Sequence, residues 1–452
     1  MIAMTASEIA SIVGGELHGE DVAVTQAPVF DSRAATEGSI FLALVGENDD
    51  GHRFIDDAFA HGAAVAITTK VVSQRCIVVT DVVTALARLA QYVRGQLRDL
   101  KVIAITGSQG KTTTKDLLGS VLSGYGETVS TQASFNNELG APLTLLRCTR
   151  ETKYCVLELG ARHPGDIAAL CAIAKPDIGV VLKVGRAHLG EFGSVEKIAL
   201  TKGELVEALG QHGIAILGLY DSYTPQMRQR HSGATLTFGE DSTADVRATD
   251  IEIREGAPHF ELVTAEGRAP VGMRLIGAHQ VSNALATAAV CTALHLPLDY
   301  VAGALSSAEL GSKWRMEISE ESGLLFINDA YNANPESMAA ALHTLTHFAQ
   351  ERGGSSWAFI GQMHELGPTE AAEHEAIGEL AHDLGVDHII AIECDLFGPH
   401  ARRYAHREQV SELIPHLSQG DTLLFKASRA EKFEEVAEMI RTGWISRVEA
   451  EA

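Results

Sequence analysis

The stretch between residues 102 and 115 constrains the fold of this chain more than any other part of the sequence. Residues 102–105 form a short apolar run, which predicts a buried strand, and residues 106–110 form a turn of small residues. Lys111 and Thr112 then begin a stretch of helical character. A strand that leads through a glycine turn into a helix directs free backbone N–H groups and the positive end of the helix dipole toward an anion. The segment therefore predicts an α/β fold with a phosphate-binding loop.

The loop is a shortened form of the common phosphate-loop pattern. That pattern places a glycine six residues before the lysine, and Ile105 occupies this position here. Residues 107–112 match the rest of the pattern. Within them, the lysine can supply a positive charge to the phosphates and the threonine hydroxyl can ligate Mg²⁺. On these residues alone, an ordinary glycine turn before a helix is the alternative.

The composition favours an acidic protein of several domains. The 452 residues suggest three domains of roughly 150 residues each, and 46% apolar residues suffice for their cores. A net charge of −23 argues against nucleic acid or an anionic membrane as the main partner, because like charges repel. The six cysteines lack metal-binding spacing, and no apolar stretch reaches about 18 residues. We therefore expect reduced core cysteines, no membrane span, cytoplasmic localisation and a monomer.

The apolar runs divide the chain into three α/β units, at residues 1–97, 98–309 and 310–452. In the second unit, strand-like runs alternate with helix-length segments: residues 102–105, 154–159, 178–184 and 214–219. The third unit repeats the alternation: residues 324–328, 357–360, 388–392 and 422–425. This pattern predicts a central, P-loop-type, doubly wound parallel sheet flanked by smaller α/β domains. Ligands of such a sheet bind beyond the carboxyl ends of its strands.

Three side chains that can carry chemistry lie in the central unit. Glu158 is near the end of a buried strand, where a carboxylate is costly unless it is paired or bound to a metal. It is a candidate Mg²⁺ ligand, with an N-cap or a salt bridge as the alternative. His188 follows the next strand, so a metal ligand, a base and a plain loop histidine are all open. Lys202 lies in a helical stretch, where local physics predicts only a solvated lysine.

Polar clusters elsewhere are candidates for substrate contacts. Asn136 and Asn137 are adjacent amides, which suit sugar or carboxylate groups but also suit a turn. The third unit carries polar residues at its start and after two of its predicted strands: Arg315; Asp329, Tyr331 and Asn332; Lys426, Ser428 and Arg429. Each cluster alone is typical of a solvated loop. Three in one small domain indicate a binding face turned toward the nucleotide.

Taken in order, these segments resemble the Mur ligase family, the ATP-dependent amide-forming enzymes of peptidoglycan synthesis. The resemblance extends over essentially the whole chain. It rests on Thr106-Gly-Ser-Gln-Gly-Lys-Thr-Thr113, Glu158-Leu-Gly160, Gly185-x-x-His188, Lys202-Gly-Glu204, Asn283-Ala-Leu285, Trp314-Arg-Met-Glu317, Asp329-Ala-Tyr-Asn-Ala-Asn334 and Lys426-Ala-Ser-Arg429. The phosphate loop alone is moderately specific, whereas the ordered set is highly specific.

The resemblance implies a role for each candidate residue. ATP would contact Gly107, Ser108, Gln109, Gly110, Lys111, Thr112, Thr113, Asn283, Arg315, Asp329, Tyr331 and Asn332. Mg²⁺ would be held by Thr112, Glu158, His188 and Lys202, the last as a carbamate. The substrates would contact Asp31, Ser32 and Arg33, at the UDP end, and Asn136, Asn137, Lys426, Ser428 and Arg429. The catalytic residues would be Lys111, Lys202 and His188.

Two segments resemble one branch of the family. From Asn136 to Pro142 and from Met363 to Gly367, the sequence is similar to the ligases that join D-alanyl-D-alanine to UDP-N-acetylmuramoyl-tripeptide. The implied chemistry is attack of the peptide carboxylate on the γ-phosphate of ATP, followed by displacement of phosphate by the dipeptide amine. Closure of the third domain would exclude water from the acyl phosphate.

Three alternatives stay open at this point. They are the family member that adds the third residue, a folylpolyglutamate-type ligase, and a nucleotide-binding module without activity. The Asn-Pro-Arg signature of the third-residue ligase is missing, and the presence of Glu158, His188 and Lys202 weighs against an inactive module. The candidate nucleotide and metal set is intact, although six positions depart from the family pattern: Ala133, Lys183, Gly218, Tyr220, Gln280 and Gln362.

Overall fold

The computed structural model describes residues 1–46, 49–187, 189–309 and 311–451. Within these ranges the chain forms a two-stranded ribbon and three larger sheets, of four, nine and six strands. Helices connect the strands and cover the sheets, as expected for an α/β fold. No helix in these ranges combines the length and the apolar character needed to cross a membrane.

The N-terminal region contains the ribbon and the four-stranded sheet. Its strands, numbered in chain order, are β1 (Met4–Thr5), β2 (Glu16–His18), β3 (Ala23–Val24), β4 (Ile40–Leu42), β5 (Val65–Thr68) and β6 (Cys76–Val78). Its helices are α1 (Ala6–Val13), α2 (Ile55–Ala60) and α3 (Val82–Gln96), with 3-10 segments at Ser32–Ala34 and Gly51–Phe54. Strands β4, β5 and β6 are parallel, and β2 pairs antiparallel with β6.

The central region contains the nine-stranded sheet. Its strands are β7 (Lys101–Thr106), β8 (Thr128–Ser130), β9 (Tyr154–Glu158), β10 (Ile178–Val181), β11 (Ile214–Gly218), β12 (Ala234–Gly239), β13 (Val246–Arg254), β14 (Ala257–Thr264) and β15 (Gly267–Gly272). Its helices are α4 (Lys111–Ser123), α5 (Gly140–Leu146), α6 (Asp166–Ala174), α7 (Leu189–Phe192), α8 (Val195–Glu207), α9 (Gln280–Ala293) and α10 (Leu298–Ser307), with a 3-10 segment at Thr224–Arg230.

The prediction of a doubly wound parallel sheet is confirmed, with one addition. The strand order is β15-β14-β13-β12-β11-β10-β7-β9-β8, and the pairs from β8 to β13 are parallel. Apolar side chains of α4, α9 and α10 fill one face, and those of α3, α5, α6 and α8 fill the other. The addition is an antiparallel edge, β13-β14-β15, which the sequence patterns did not predict.

The C-terminal region contains the six-stranded sheet. Its strands are β16 (Glu317–Glu321), β17 (Leu324–Asn328), β18 (Ser356–Ile360), β19 (His388–Ile392), β20 (Arg402–Tyr404) and β21 (Thr422–Lys426). Its helices are α11 (Pro335–Arg352), α12 (Glu370–Asp383) and α13 (Phe433–Glu451), with 3-10 segments at Gly367–Thr369, Arg407–His416 and Arg429–Glu431. All pairs are parallel except β16 with β17. The domain boundaries at residues 97 and 309 stay predictions.

Strand register brings the candidate residues to one place. Glu158, the last residue of β9, pairs with Ile105 of β7, directly before the glycine turn. In the C-terminal sheet, Asn328 of β17 pairs with Phe425 of β21, so Asp329 and Lys426 leave neighbouring strands at the same end. The carboxyl ends of both sheets therefore carry the polar residues that the sequence analysis singled out.

Candidate active site

The glycine turn between β7 and α4 can only be built with glycine at its last position. Gly110 is the N-cap of α4 and has φ of 80°, in the left-handed region. A Cβ atom at Gly110 would stand 2.4 Å from Oδ1 of Asn283, because α9 packs directly against the turn. Lys111 bends back so that Nζ donates to the carbonyl of Gly107 at 2.8 Å. The turn thus keeps its backbone open toward the cavity at the helix N-terminus.

Glu158 is held at the loop by two hydrogen bonds. The residue is only 1% exposed, which would be costly for an unpaired carboxylate. Its Oε2 accepts a hydrogen bond from Thr112 Oγ1 at 2.7 Å, and its Oε1 accepts one from Asn136 Nδ2 at 2.8 Å. The carboxylate is therefore fixed beside the threonine hydroxyl, as a Mg²⁺ site beside bound phosphates requires.

Arg315 reaches this pair from the C-terminal region. Its NH2 group donates to Thr112 Oγ1 at 2.8 Å, and its guanidinium carbon lies 4.0 Å from the centre of the Tyr331 ring. Burial lowers the pKa of Lys111 and the charge of Arg315 lowers it further, while Glu158 opposes both effects. Two cationic side chains from different regions thus meet one carboxylate at the phosphate loop, which suits a strongly anionic ligand.

A buried ion pair organises the C-terminal side. Lys426 is 1% exposed, and its Nζ donates to Asp329 Oδ2 at 2.5 Å and to the carbonyl of Asn332 at 2.8 Å. Asp329 Oδ1 also accepts the backbone N–H of Met316 at 3.1 Å. These contacts fix the segment that carries Arg315 relative to the strand ends. Lys426 therefore has a structural partner in addition to its place in the cavity wall.

Residues of the central and C-terminal regions together line one cavity of about 670 Å³. Its wall contains most of the predicted site: Ser108, Gln109, Gly110, Lys111, Thr112, Thr113, Asn136, Glu158, Asn283, Arg315, Asp329, Tyr331, Asn332, Lys426, Ser428 and Arg429. A volume of this size is typical of a cofactor or nucleotide site. The cavity wall lacks Gly107, whose carbonyl nevertheless binds Lys111, and also Lys202, Asn137, Asp31, Ser32 and Arg33.

The prediction from local sequence that Lys202 is a solvated lysine is wrong. The residue belongs to α8 but is only 4% exposed, so it is not a solvated helix lysine. Burial, and after it the positive charge of Lys111, lowers its pKa well below the usual value. The position of α8 under the sheet causes this burial, and no local pattern reports it. His188, the other predicted metal ligand nearby, lies outside the described residues.

Asn136 and Asn137, for which the sequence allowed either polar contacts in the site or a turn, differ in their contacts. Asn136 binds Glu158, whereas Asn137 Oδ1 accepts the backbone N–H groups of Leu139 and Gly140, as in a turn at the start of α5. The turn prediction is therefore confirmed for Asn137, and its predicted substrate contact stays a prediction.

The residues predicted to hold the UDP end lie in the N-terminal region, outside the cavity. Asp31 caps the 3-10 segment that contains Ser32, and Arg33 donates to both of its carboxylate oxygens, at 2.9 and 2.7 Å. These hydrogen bonds lower the pKa of Asp31 to about 2. Arg33 is 82% exposed in its side chain, so its guanidinium is accessible to an anion.

Sequence reasoning missed how the C-terminal region closes on the phosphate loop. Gln109 Nε2 donates to Asn334 Oδ1 at 2.9 Å and to Glu336 Oε2 at 3.1 Å. The other oxygen of Glu336 accepts the backbone N–H of Arg186 at 3.1 Å. The N-cap signature at Asn334, with proline next, predicts a helix start but gives no information on which region that helix start faces.

Two further features were also missed. Gly190 donates its N–H to the carbonyl of Glu365 at 3.0 Å, and a Cβ on Gly190 would stand 2.7 Å from the nitrogen of Gly367. This backbone-to-backbone contact forms a second closure between the central and C-terminal regions. At one end of the cavity, Tyr220 and Phe238 form an aromatic wall, with ring centres 6.0 Å apart.

Comparison with known proteins gives a consistent result. Residues 105–291 match the Mur ligase middle domain, and residues 314–449 match the Mur ligase, glutamate ligase domain. The UDP-N-acetylmuramoyl-tripeptide--D-alanyl-D-alanine ligase of Mycobacterium tuberculosis is 43% identical over 425 residues, which cover 87% of this chain and 83% of the relative. The crystal structure of MurF from Acinetobacter baumannii superposes with a TM-score of 0.88 at 34% identity, covering 97% of this chain and 99% of the other. MurF from Thermotoga maritima in complex with ADP has a TM-score of 0.81 at 32% identity, covering 94% and 99%. The chain therefore belongs to the Mur ligase family, within its group of MurF relatives.

Proposed function

We propose that this chain is the ADP-forming ligase that joins D-alanyl-D-alanine to UDP-N-acetylmuramoyl-tripeptide in peptidoglycan precursor synthesis. The names of its relatives support this substrate pair. The observation that carries the proposal is the convergence of Thr112 and Glu158 with Arg315, which comes from another region of the chain. The third-residue ligase is the alternative, and one solved UDP-N-acetylmuramoyl-L-alanyl-D-glutamate--2,6-diaminopimelate ligase is 18% identical to this chain.

ATP is the nucleotide in this proposal. Its phosphates would lie on the N–H groups at the start of α4, beside Lys111 and Arg315, and its base would lie near Asn283. The cavity of about 670 Å³ accommodates this ligand, and the Thermotoga maritima relative was solved with ADP. The contacts at Gln109 and Gly190 join the central and C-terminal regions, and full closure of these regions would exclude water from the site.

The residues present fit Mg²⁺. The hydroxyl of Thr112 and the carboxylate of Glu158 are hard oxygen donors that lie side by side next to the phosphate loop. They would hold one ion, which would neutralise charge on the transferring phosphoryl group. A second ion is part of the proposal, with His188 and a modified Lys202 as its ligands.

Lys202 suits modification by CO₂ because its amine is buried and its pKa is well below the usual value. The neutral amine attacks the carbon of CO₂ and loses a proton, which gives a carbamate with carboxylate oxygens. A lysine would thereby become an anionic ligand close to Lys111.

The reaction then requires the chain to bring two anions together. A carboxylate oxygen of the tripeptide attacks the γ-phosphorus and ADP leaves, which gives an acyl phosphate. The amine nitrogen of D-alanyl-D-alanine attacks the acyl carbon and loses a proton, and phosphate leaves. Lys111 and Arg315 would offset the repulsion between the tripeptide carboxylate and the triphosphate, because their hydrogen bonds to Gly107 and Thr112 hold both cations at the phosphate loop.

The remaining parts of the proposal concern the substrate ends and the state of the protein. Asp31, Ser32 and Arg33 would seat the UDP end, and Ser428 and Arg429 would contact the peptide parts. A monomeric state is also part of the proposal. A cytoplasmic location follows from the use of ATP.

The test is phosphate release from ATP with three acceptor and amine pairs: UDP-N-acetylmuramoyl-tripeptide with D-alanyl-D-alanine, the corresponding dipeptide with diaminopimelate or lysine, and a folate with glutamate. Release that requires D-alanyl-D-alanine and yields the pentapeptide product would support the proposal. Release with one of the other amines instead would reassign the chain to another ligase of the family. The Lys111→Ala variant is the control, because it removes the phosphate-loop charge and should abolish release without changing the fold.

A further inference from the structure

Three consecutive side chains after β8 each contact a different region of the protein. We call residues 133–136 the junction segment. Ser134 Oγ hydrogen-bonds the hydroxyl of Tyr331 in the C-terminal region. The ring of Phe135 lies edge-on to Phe30 of the N-terminal region, with ring centres 6.0 Å apart and planes at 77°. Asn136 holds Glu158 of the central sheet.

Lys115, a buried residue of α4, holds the junction segment by hydrogen bonds to its backbone. Lys115 is only 2% exposed, and its Nζ donates to the carbonyls of Thr131 and Ala133, at 2.9 and 3.0 Å. The carboxylate of Asp116 lies 2.5 Å from the same nitrogen. Ala133 has φ of 46°, a left-handed conformation that is unfavourable for alanine and that the bond from Lys115 offsets. Lys115 lies one helical turn after Lys111, so the segment is fastened to the helix that carries the phosphate loop.

The contacts of the segment follow the path between the two ends of the site. Phe30 precedes Asp31, at the predicted seat of the UDP end. Phe135 precedes Asn136, which orients the carboxylate beside Thr112. Phe30 and Phe135 are 42% and 47% exposed, so their contact is formed at the rim of both regions.

We propose that the junction segment couples binding of the UDP-linked substrate to binding of the nucleotide, with Lys115 as its positioning residue. The inference rests on the proposed function for the identity of the UDP-linked substrate. When that substrate fixes the N-terminal region, Phe30 holds Phe135 and thereby Asn136, so Glu158 is already in place for the nucleotide. Thermodynamic linkage requires the reverse effect to be equal in size.

The experiment measures ADP binding to the full chain by calorimetry in the presence of Mg²⁺, with and without saturating UDP-N-acetylmuramoyl-tripeptide. ADP is used because no phosphoryl transfer follows. In the protein with its wild-type sequence we expect the tripeptide to tighten ADP binding at least about fivefold, which is the lower end of usual coupling factors. In Phe135→Ala we expect this factor to fall to below about twofold, while ADP binding without tripeptide changes by less than about twofold.

Further variants separate coupling from simple destabilisation. Phe30→Ala should lose the same factor, and the double variant should lose no more, because both side chains act through one contact. Tyr92→Ala is the matched control, since Tyr92 is a similarly exposed aromatic of the N-terminal region, at 42%. It should keep the full coupling factor. Lys115→Arg should keep part of the factor and Lys115→Met should lose it; Ser134→Ala tests the same segment if the lysine variants do not fold.

The outcomes are distinguishable. Binding of the tripeptide without any effect on ADP in the unmodified protein would overturn the coupling and leave the proposed function intact. Equal coupling in Phe135→Ala and the unmodified protein would also overturn it. Failure of the unmodified protein to bind the tripeptide would overturn both the proposed function and the inference that rests on it.

Discussion

Replacement of the half-buried Asn136 by alanine should strongly weaken Mg²⁺-dependent activity. Asn136 Nδ2 supplies one of the two hydrogen bonds that hold the Glu158 carboxylate, at 2.8 Å, and Thr112 supplies the other, at 2.7 Å. Without the amide, one oxygen of a carboxylate that is 1% exposed has lost its donor, and the group is free to rotate away from the loop.

The size of the effect follows from the kind of bond that is lost. A hydrogen bond to a charged group contributes about 1.5–3 kcal/mol, which corresponds to a loss of about 10- to 150-fold. Loss of a partner that orients a metal ligand typically costs about 10- to 100-fold in metal affinity or activity, the same range. We therefore expect the Mg²⁺ concentration for half-maximal phosphate release to rise at least about tenfold in Asn136→Ala.

The neighbouring asparagine provides a matched control. Asn137→Ala removes an equal side chain whose Oδ1 accepts the N–H groups of Leu139 and Gly140, so it should cost about 0.5–2 kcal/mol of stability and leave the Mg²⁺ requirement unchanged. The assay is a Mg²⁺ titration of phosphate release at saturating substrates, with thermal melting alongside. An Asn136→Ala protein with the Mg²⁺ requirement of the unmodified protein would refute the argument that this amide positions the metal ligand.

Three other predictions test separate parts of the site. Gly110→Ala should lower Tm and weaken ATP binding, because its left-handed φ costs about 1–2 kcal/mol and its Cβ would stand 2.4 Å from Asn283 Oδ1; unchanged melting and ATP KM would contradict this. Lys202→Ala should lose phosphate release, with partial recovery on addition of a short carboxylate, and an unaffected variant would exclude the carbamate. His374 Nε2 accepts the Met363 N–H at 2.8 Å, and burial lowers the pKa of His374 below its unfolded value of about 6.5. Since the unfolded chain then binds more protons, stability is full above about pH 6.5 and falls below it, and Tm measured from about pH 7 to pH 5.5 should fall less in His374→Gln.

The sheets were predictable where apolar runs are continuous and end in a polar residue. The apolar runs that lead to Thr106, Glu158 and Asp329 all have this form, since parallel strands buried on both faces need apolar side chains on each. The antiparallel edge from β13 to β15 lacks such a signal. In β13 charged residues alternate with apolar ones, and β15 is short and contains glycine and proline, so both resemble loop sequence when read singly.

The site was predictable to the extent that its chemistry is local. Lys111 and Thr112 are identified by the glycine turn before them, and Glu158 by its unusual place in a buried strand. The contact of Arg315 with Thr112 joins residues 203 positions apart, and the burial of Lys202 depends on how a helix lies under the sheet. Neither is encoded in a window of neighbouring residues, so both required the resemblance to a family or the three-dimensional structure.

The meeting of Gly190 and Gly367 has a consequence for turnover. The two segments approach each other there backbone to backbone, and a Cβ atom on either glycine would stand 2.7 Å from the backbone of the other segment. A bulky residue at either glycine would therefore hold the central and C-terminal regions apart. Water would then reach the acyl phosphate and hydrolyse it before the amide bond to the dipeptide is made.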